Sequence, residues 1–284
     1  MTVKRVGIVG SGIMGAGIAE VAAKAGFEVI LRSRHEASAE GMVAALEKAL
    51  AKQVERGKIG EAERDAVISR VTATTVLSDL ADCDLVIESI VEDLAVKKQL
   101  FRELDHYCRA DAILATNTST LPVVEMAVET GRPERVCGVH FFNPAPAMSL
   151  VEVVRPLLAS EETIAAAREF AESCGKDAVV VEDRAGFVVN ALLFPYLNNA
   201  VRMLEAGTAS RDDIDAAMKG GCNFPMGPFA LLDLVGLDTS VAILDALYDE
   251  FRDPNYAPAP LLRRMVSAGR LGRKSGFGFY DYRK

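Results

Sequence analysis

Six residues constrain this chain more than any others. Gly10-Ser11-Gly12-Ile13-Met14-Gly15 follows the short apolar run KRVGIV (4–9) and opens a segment of helical composition, Ile13 to Ala25, which stops at Gly26. The apolar residues Val29-Ile30-Leu31 come next. Strand, glycine turn, helix and strand within about 30 residues is the shape of a βαβ unit with a parallel sheet. In a G-x-G-x-x-G turn the first glycine permits the bend, the second lets a pyrophosphate reach the backbone and the third lets the helix pack closely. The helix N-terminus then offers free N–H groups to the anion. Alone the pattern fits any glycine-rich structural turn; its setting between Val6 and Leu31 makes it a dinucleotide site at Gly10, Gly12, Ile13, Met14 and Gly15.

The same texture continues. A long polar helix is expected from Ala37 to Arg56, and short apolar runs recur at DLVI (84–87), AILA (112–115), VCGVH (136–140) and AVVV (178–181). Helical patterns such as Val96–His106 and Ile164–Cys174 separate most of them, which predicts a doubly wound, Rossmann-type α/β domain over residues 1–186. Beyond it the patterns at 187–206, 211–219, 228–234, 239–251 and 261–268 are helical, so residues 187–284 are expected to form an all-α domain carrying the substrate cleft and a dimerisation surface. A chain of 284 residues with 50% hydrophobic content supports two such cores.

Composition narrows the partners. A net charge of −8 argues against nonspecific attraction to nucleic acid or an anionic membrane, while a small polyanion can still bind at a local basic spot. Val6–Ala19 behind MTVKR superficially resembles a signal peptide, but five glycines break it. GFVVNALLFPYLNNAV is interrupted by Asn190, Pro195 and Asn198, so no membrane span is expected. Five widely spaced cysteines without a CxxC pair fit a reducing cytoplasm and offer no metal site.

The ribose of a bound dinucleotide is read at the end of the second strand. There an acid suits the 2′-OH of NAD, whereas arginine and small polar residues suit the 2′-phosphate of NADP. The chain reads Leu31-Arg32-Ser33-Arg34-His35, with its first carboxylate at Glu36. Arg32, Ser33 and Arg34 therefore favour NADP(H), with NAD(H) through Glu36 as the alternative. His140 ends an apolar run, where a parallel strand delivers its last residue to the ligand crevice. Glu152, amid Leu150-Val151 and Val153-Val154, is a carboxylate that needs a partner, and an imidazolium is a suitable one. A satisfied core histidine and an edge-strand glutamate are the competing reading. Ser119, directly after AILA, and Asn190, inside an apolar helix, are placed to orient a substrate oxygen, though for each alone capping or turn formation by Ser119 and a helix-packing hydrogen bond by Asn190 are the stronger explanations.

Together these segments resemble the short-chain 3-hydroxyacyl-CoA dehydrogenase family, and within it the bacterial 3-hydroxybutyryl-CoA dehydrogenases. GSGIMGAGIAEVAA, VIESIVEDLAVKKQLF, ATNTSTLP, VCGVHFFNPAP, LVEVV, DRAGFVVNALLFPYLNNA, PMGPFALLDLVGLD and GRKSGFGFYDY carry the likeness, spread in order along nearly the whole chain. The resemblance implies hydride transfer between a nicotinamide cofactor and C3 of 3-hydroxybutyryl-CoA or acetoacetyl-CoA. His140 would be the general acid/base, Glu152 its orienting carboxylate, and Ser119 and Asn190 hydrogen-bonding partners of the substrate. It further implies cofactor contacts at Glu92, Lys97, Ser119, Asn143 and Lys274, and CoA contacts near Lys52, Arg56 and Lys58. A homodimer that buries the apolar stretch Phe187–Leu197 is expected. Two positions depart from the family pattern: Ser33 replaces the ribose-reading acid, which suggests NADPH-driven reduction, and Phe224 stands where relatives often carry a polar residue. A dehydrogenase of free β-hydroxy acids, which uses a lysine, an NAD-dependent β-oxidation enzyme and a non-catalytic dinucleotide-binding relative are the alternatives.

Overall fold

The structure, a computed structural model, describes residues 3–283. Eight strands, β1 (Arg5–Val9), β2 (Glu28–Arg32), β3 (Val71–Thr74), β4 (Leu85–Glu88), β5 (Ile113–Thr116), β6 (Val136–Phe141), β7 (Leu150–Arg155) and β8 (Asp177–Glu182), form one sheet in the order β3-β2-β1-β4-β5-β6-β7-β8. The first six run parallel; β7 is antiparallel to β6, and β8 is parallel to β7. The strand order reverses between β1 and β4, so the turn after β1 opens at the switch point where α/β sheets take their ligands.

Alternation of side chains sorts the sheet into two faces. Val6, Ile8, Val29, Leu31, Ile87, Ala115 and Val139 share one core with α1 (Ile13–Lys24), α2 (Glu36–Glu55) and α6 (Glu161–Ser173), through residues such as Ile18, Leu46 and Phe170. The opposite face meets α5 (Val123–Ala127): a Cβ on Gly138 would lie 3.3 Å from Val123 Cγ2 and 2.6 Å from Val154 Cβ, so glycine is what lets these backbones close up. Preceding α5 is α4 (Leu94–Tyr107), begun by Asp93, whose carboxylate accepts from the Val96 amide and so satisfies one of the helix's free donors.

Three elements of this unit were not legible in sequence, α3 (Glu61–Ser69), α5 and β3. The four residues of β3, VTAT, are only partly buried and pair with β2 alone, so they lack the apolar run that marked the inner strands. The edge-strand reading of Glu152 is corrected: β7 lies between β6 and β8, because a further strand, β8, pairs along its whole length.

A second compact unit starts at Arg184. Its helices are α7 (Val189–Glu205), α8 (Arg211–Cys222), α9 (Pro228–Val235), α10 (Leu237–Phe251) and α11 (Pro260–Ser267), around Phe194, Leu197, Phe229, Leu232 and Leu244. The division falls three residues before the change of texture at Gly186, and hydrogen bonds explain why. Asp183 accepts from the Val123 and Val124 amides at 2.9 and 2.8 Å, whereas Ala185 donates to Glu250 at 2.7 Å. The glycine-rich tail wraps the buried Asp233, which accepts from the Phe279 and Tyr280 amides, and a Cβ on Gly278 would sit 1.9 Å from its carboxylate. Among the described residues no helix is long and apolar enough to cross a membrane.

Candidate active site

The glycine turn has the form its spacing implies. Gly10 adopts φ +138°, and a Cβ there would meet the Ser89 carbonyl oxygen at 2.2 Å; one on Gly15 would meet the Gly10 oxygen at 2.2 Å. Both are closed by backbone, which cannot yield. Gly12 differs, since a Cβ there would meet nothing within 4 Å, and Gly12 is also the N-cap of α1 with no side-chain cap bond. The open space and the uncapped amides of Ile13 and Met14 fit a phosphate approaching the helix N-terminus.

At the end of β2, Ser33 is 2% exposed and its Oγ has no hydrogen-bond partner. Nε of the neighbouring Arg32 is likewise buried and unpaired, and burial, with a smaller contribution from Arg34, lowers the Arg32 pKa from its ordinary value. Buried polar atoms without partners are rare in folded chains. Arg34 and Glu36 are exposed beside them.

Sheet parity gathers the remaining polar groups. Glu88, Thr116, His140 and Glu152 all alternate with the residues of the α1/α2/α6 core and so point to the face that meets α5. The antiparallel register sets His140 directly opposite Glu152. His140 Nδ1 lies 2.8 Å from Glu152 Oε2, with both residues buried, and His140 Nε2 lies 3.1 Å from Ser119 Oγ. The Phe142 ring flanks the imidazole, 4.5 Å between centroids. Asn117 Oδ1 accepts from the Phe141 amide at 2.7 Å, tying the loop after β5 to the end of β6.

A serine, histidine and glutamate in series also describe a hydrolase's nucleophilic triad, but the surrounding amides favour proton transfer. The Ser119 amide donates to Glu92 Oε1, while those of Thr120 and Leu121 donate to Thr118 Oγ1. Acyl transfer needs free amides aimed at a developing oxyanion, and these three are committed. A proton relay needs none.

Residues 5–184 match the model of the 3-hydroxyacyl-CoA dehydrogenase NAD-binding domain and residues 186–282 that of the C-terminal domain. The chain belongs to the 3-hydroxyacyl-CoA dehydrogenase family. A 3-hydroxybutyryl-CoA dehydrogenase of Mycobacterium tuberculosis is 51% identical over 99% of both chains, and a human mitochondrial hydroxyacyl-coenzyme A dehydrogenase is 42% identical over 99% of this chain and 92% of its own. The crystal structure of (S)-3-hydroxybutyryl-CoA dehydrogenase PaaH1 from Ralstonia eutropha superposes with a TM-score of 0.97 at 41% identity, covering both chains completely.

Within this 3-hydroxyacyl-CoA dehydrogenase, Ser119, His140 and Glu152 form one bonded series, and Glu92 and Lys97 join it through the Ser119 loop. Asn143 follows β6 and is exposed. Lys52 and Arg56 are exposed at the end of α2, where the intervening Gln53 donates to Glu20 and accepts from Lys24 of α1. Asn190 and Lys274 belong to the second unit: Asn190 is buried in the first turn of α7, and Lys274 Nζ donates to Asp238 at 2.7 Å. Glu88 was missed in sequence. It lies one residue beyond the DLVI run, and a carboxylate closing a fully buried parallel strand carries the same kind of signal as His140 at the end of its own run.

Proposed function

We propose that the chain is a 3-hydroxybutyryl-CoA dehydrogenase in which His140 is the general acid/base and NADPH-driven reduction of acetoacetyl-CoA the physiological direction. The observation that carries this reading is the Ser119–His140–Glu152 series at the end of the sheet that bears an open Gly12 turn. During oxidation His140 Nε2 takes the proton of the 3-hydroxyl as its C–H leaves as hydride, and the C3–O bond becomes a carbonyl; reduction returns both. Glu152 accepts from Nδ1–H and stabilises the imidazolium formed, so it orients the ring and offsets its charge. Ser119 Oγ, 3.1 Å from Nε2, donates to the reacting oxygen and fixes it within reach of the base. Asn190 supplies a further hydrogen bond to the acyl group, and Lys52 and Arg56 take the CoA phosphates.

A nicotinamide dinucleotide, when bound, supplies the hydride acceptor or donor. Gly10 to Gly15 would hold its pyrophosphate, with Glu92, Lys97, Asn143 and Lys274 as further contacts. The unpaired Ser33 hydroxyl and Arg32 Nε, beside the exposed Arg34, support a 2′-phosphate there, since it would satisfy both orphans with charge-assisted bonds. Absorbance at the nicotinamide band with acetoacetyl-CoA tests substrate and cofactor together: kcat/KM should be higher with NADPH than with NADH, and Arg34→Asp should reverse the ratio. A wild-type preference for NADH would return the ribose to Glu36 and NAD. Near-full turnover by His140→Ala would overturn the assignment of the base and favour a lysine-dependent β-hydroxy acid dehydrogenase.

A homodimer through α7 fits the apolar stripe Val188, Leu192 and Met203, of which Leu192 is 73% exposed. Phe224, 42% exposed and edge-on to Tyr196 at 5.7 Å, extends the set of exposed apolar groups. Light scattering should give twice the chain mass, and a monomer would refute the dimer. A cytoplasmic location accords with the five free cysteines.

A further inference from the structure

We infer that Glu88 is a positioning residue for Ser119, an inference that rests on the proposed relay through His140. The Glu88 carboxylate is wholly buried at the end of β4 and accepts four hydrogen bonds. Lys97 Nζ bridges both oxygens at 2.7 and 2.8 Å, Thr116 Oγ1 donates to Oε2 at 2.7 Å, and the Ile90 amide donates to Oε1 at 2.6 Å. So complete a shell fixes the carboxylate in place and the direction of every donor around it.

Two arms run from this hub to the same place. The first passes through Thr116: its hydroxyl proton is committed to Glu88, which turns a lone pair toward the Thr118 amide at 3.2 Å. The second passes through Lys97, 1% exposed, whose charge also reaches Glu92 Oε2 at 3.2 Å. Glu92 Oε1 in turn accepts from Thr118 Oγ1 at 2.6 Å and from the Ser119 amide at 2.9 Å. Both arms therefore close on the backbone of Thr118 and Ser119, the residue whose hydroxyl meets His140 Nε2.

Charge balance explains why a carboxylate is required at position 88. Lys97 is a buried cation shared between Glu88 and the 41% exposed Glu92. Neutralising Glu88 leaves Lys97 with Glu92 as the carboxylate already in its reach, which draws Glu92 off the Ser119 amide, while Thr116 loses its charged acceptor. The Ser119 hydroxyl is then free to leave the His140 axis although no group touching substrate has been changed.

The test is a double-mutant cycle on the full-length protein, with kcat measured at saturating acetoacetyl-CoA and reduced cofactor. Glu88→Gln should lower kcat by about five- to tenfold, and by no more than removal of the Ser119 hydroxyl itself, as expected when a charge-assisted positioning network is cut. In a Ser119→Ala background the same substitution should have less than about a threefold further effect, because coupled residues are not additive. Full additivity, or an unchanged kcat in folded Glu88→Gln, would overturn the inference. Should Glu88→Gln fail to fold, Thr116→Val severs one arm without burying a charge and is put through the same cycle, with the same two outcomes deciding. His140→Ala in parallel separates the two readings: a fully active variant refutes the relay itself, whereas an inactive one with additive Glu88→Gln refutes only the role of Glu88.

Discussion

Replacing Glu152 by Gln tests the relay most directly, because the two side chains match in shape and differ in charge. Glu152 is 1% exposed and lies 2.8 Å from His140 Nδ1, so the substitution leaves packing in place and removes the anion that stabilises the imidazolium. A hydrogen bond to a charged group contributes about 1.5–3 kcal/mol, against about 0.5–1.5 kcal/mol for a neutral one. The charge-assisted bond is fully developed only when the ring is protonated, so its loss falls on the step in which His140 accepts the proton. The difference is about 1–1.5 kcal/mol, so at about 1.4 kcal/mol per tenfold kcat should drop roughly 5- to 12-fold. Ser119→Ala, which removes a neutral hydroxyl at 3.1 Å, should cost roughly 2- to 10-fold by the same arithmetic. Steady-state turnover with 3-hydroxybutyryl-CoA, with thermal melts in parallel, reads both. If Glu152→Gln kept kcat within threefold of the wild type while melting at the same temperature, the carboxylate would be structural and the reasoning wrong.

Glycines of the turn should separate folding from binding. Gly15→Ala drives a Cβ to 2.2 Å from a backbone oxygen and should lower stability by about 1–3 kcal/mol, read as a fall in Tm. Gly12→Ala meets no protein atom, so Tm should hold while the KM for cofactor rises; equal behaviour of the two variants would refute the assignment. The cysteines give a pH prediction. Burial pushes the Cys83, Cys137 and Cys174 thiols up to about 12 and Cys108 up to about 11, whereas Cys222 is exposed. Iodoacetamide at pH 8 should therefore add one group to the folded chain, at Cys222, and five after unfolding, as read by intact mass. Because the four raised thiols favour the protonated folded form, the stability they contribute is complete below the ordinary thiol pKa of 9.0 and drains away as pH rises through about 11 and 12. A melting temperature constant from pH 8 to 11 would contradict this.

What the sequence determined by itself is local and contiguous. The turn Gly10–Gly15, six of the eight strands and the helical second unit were legible because each is a run of neighbours whose period or composition reports its own surroundings. His140 was legible for the same reason, as the polar end of an apolar run. VTAT of β3 was not, since an edge strand with mixed exposure has no such signature. Tertiary structure alone decided which polar groups act together. The twelve residues between His140 and Glu152 are compatible with many arrangements; the antiparallel turn into β7 places them opposite each other on one face. Glu88 meets Thr116, 28 positions away, because β4 and β5 lie side by side in register. Periodicity reports the face a residue occupies, but strand order and register choose its neighbours, and those are fixed by the packing of the whole sheet.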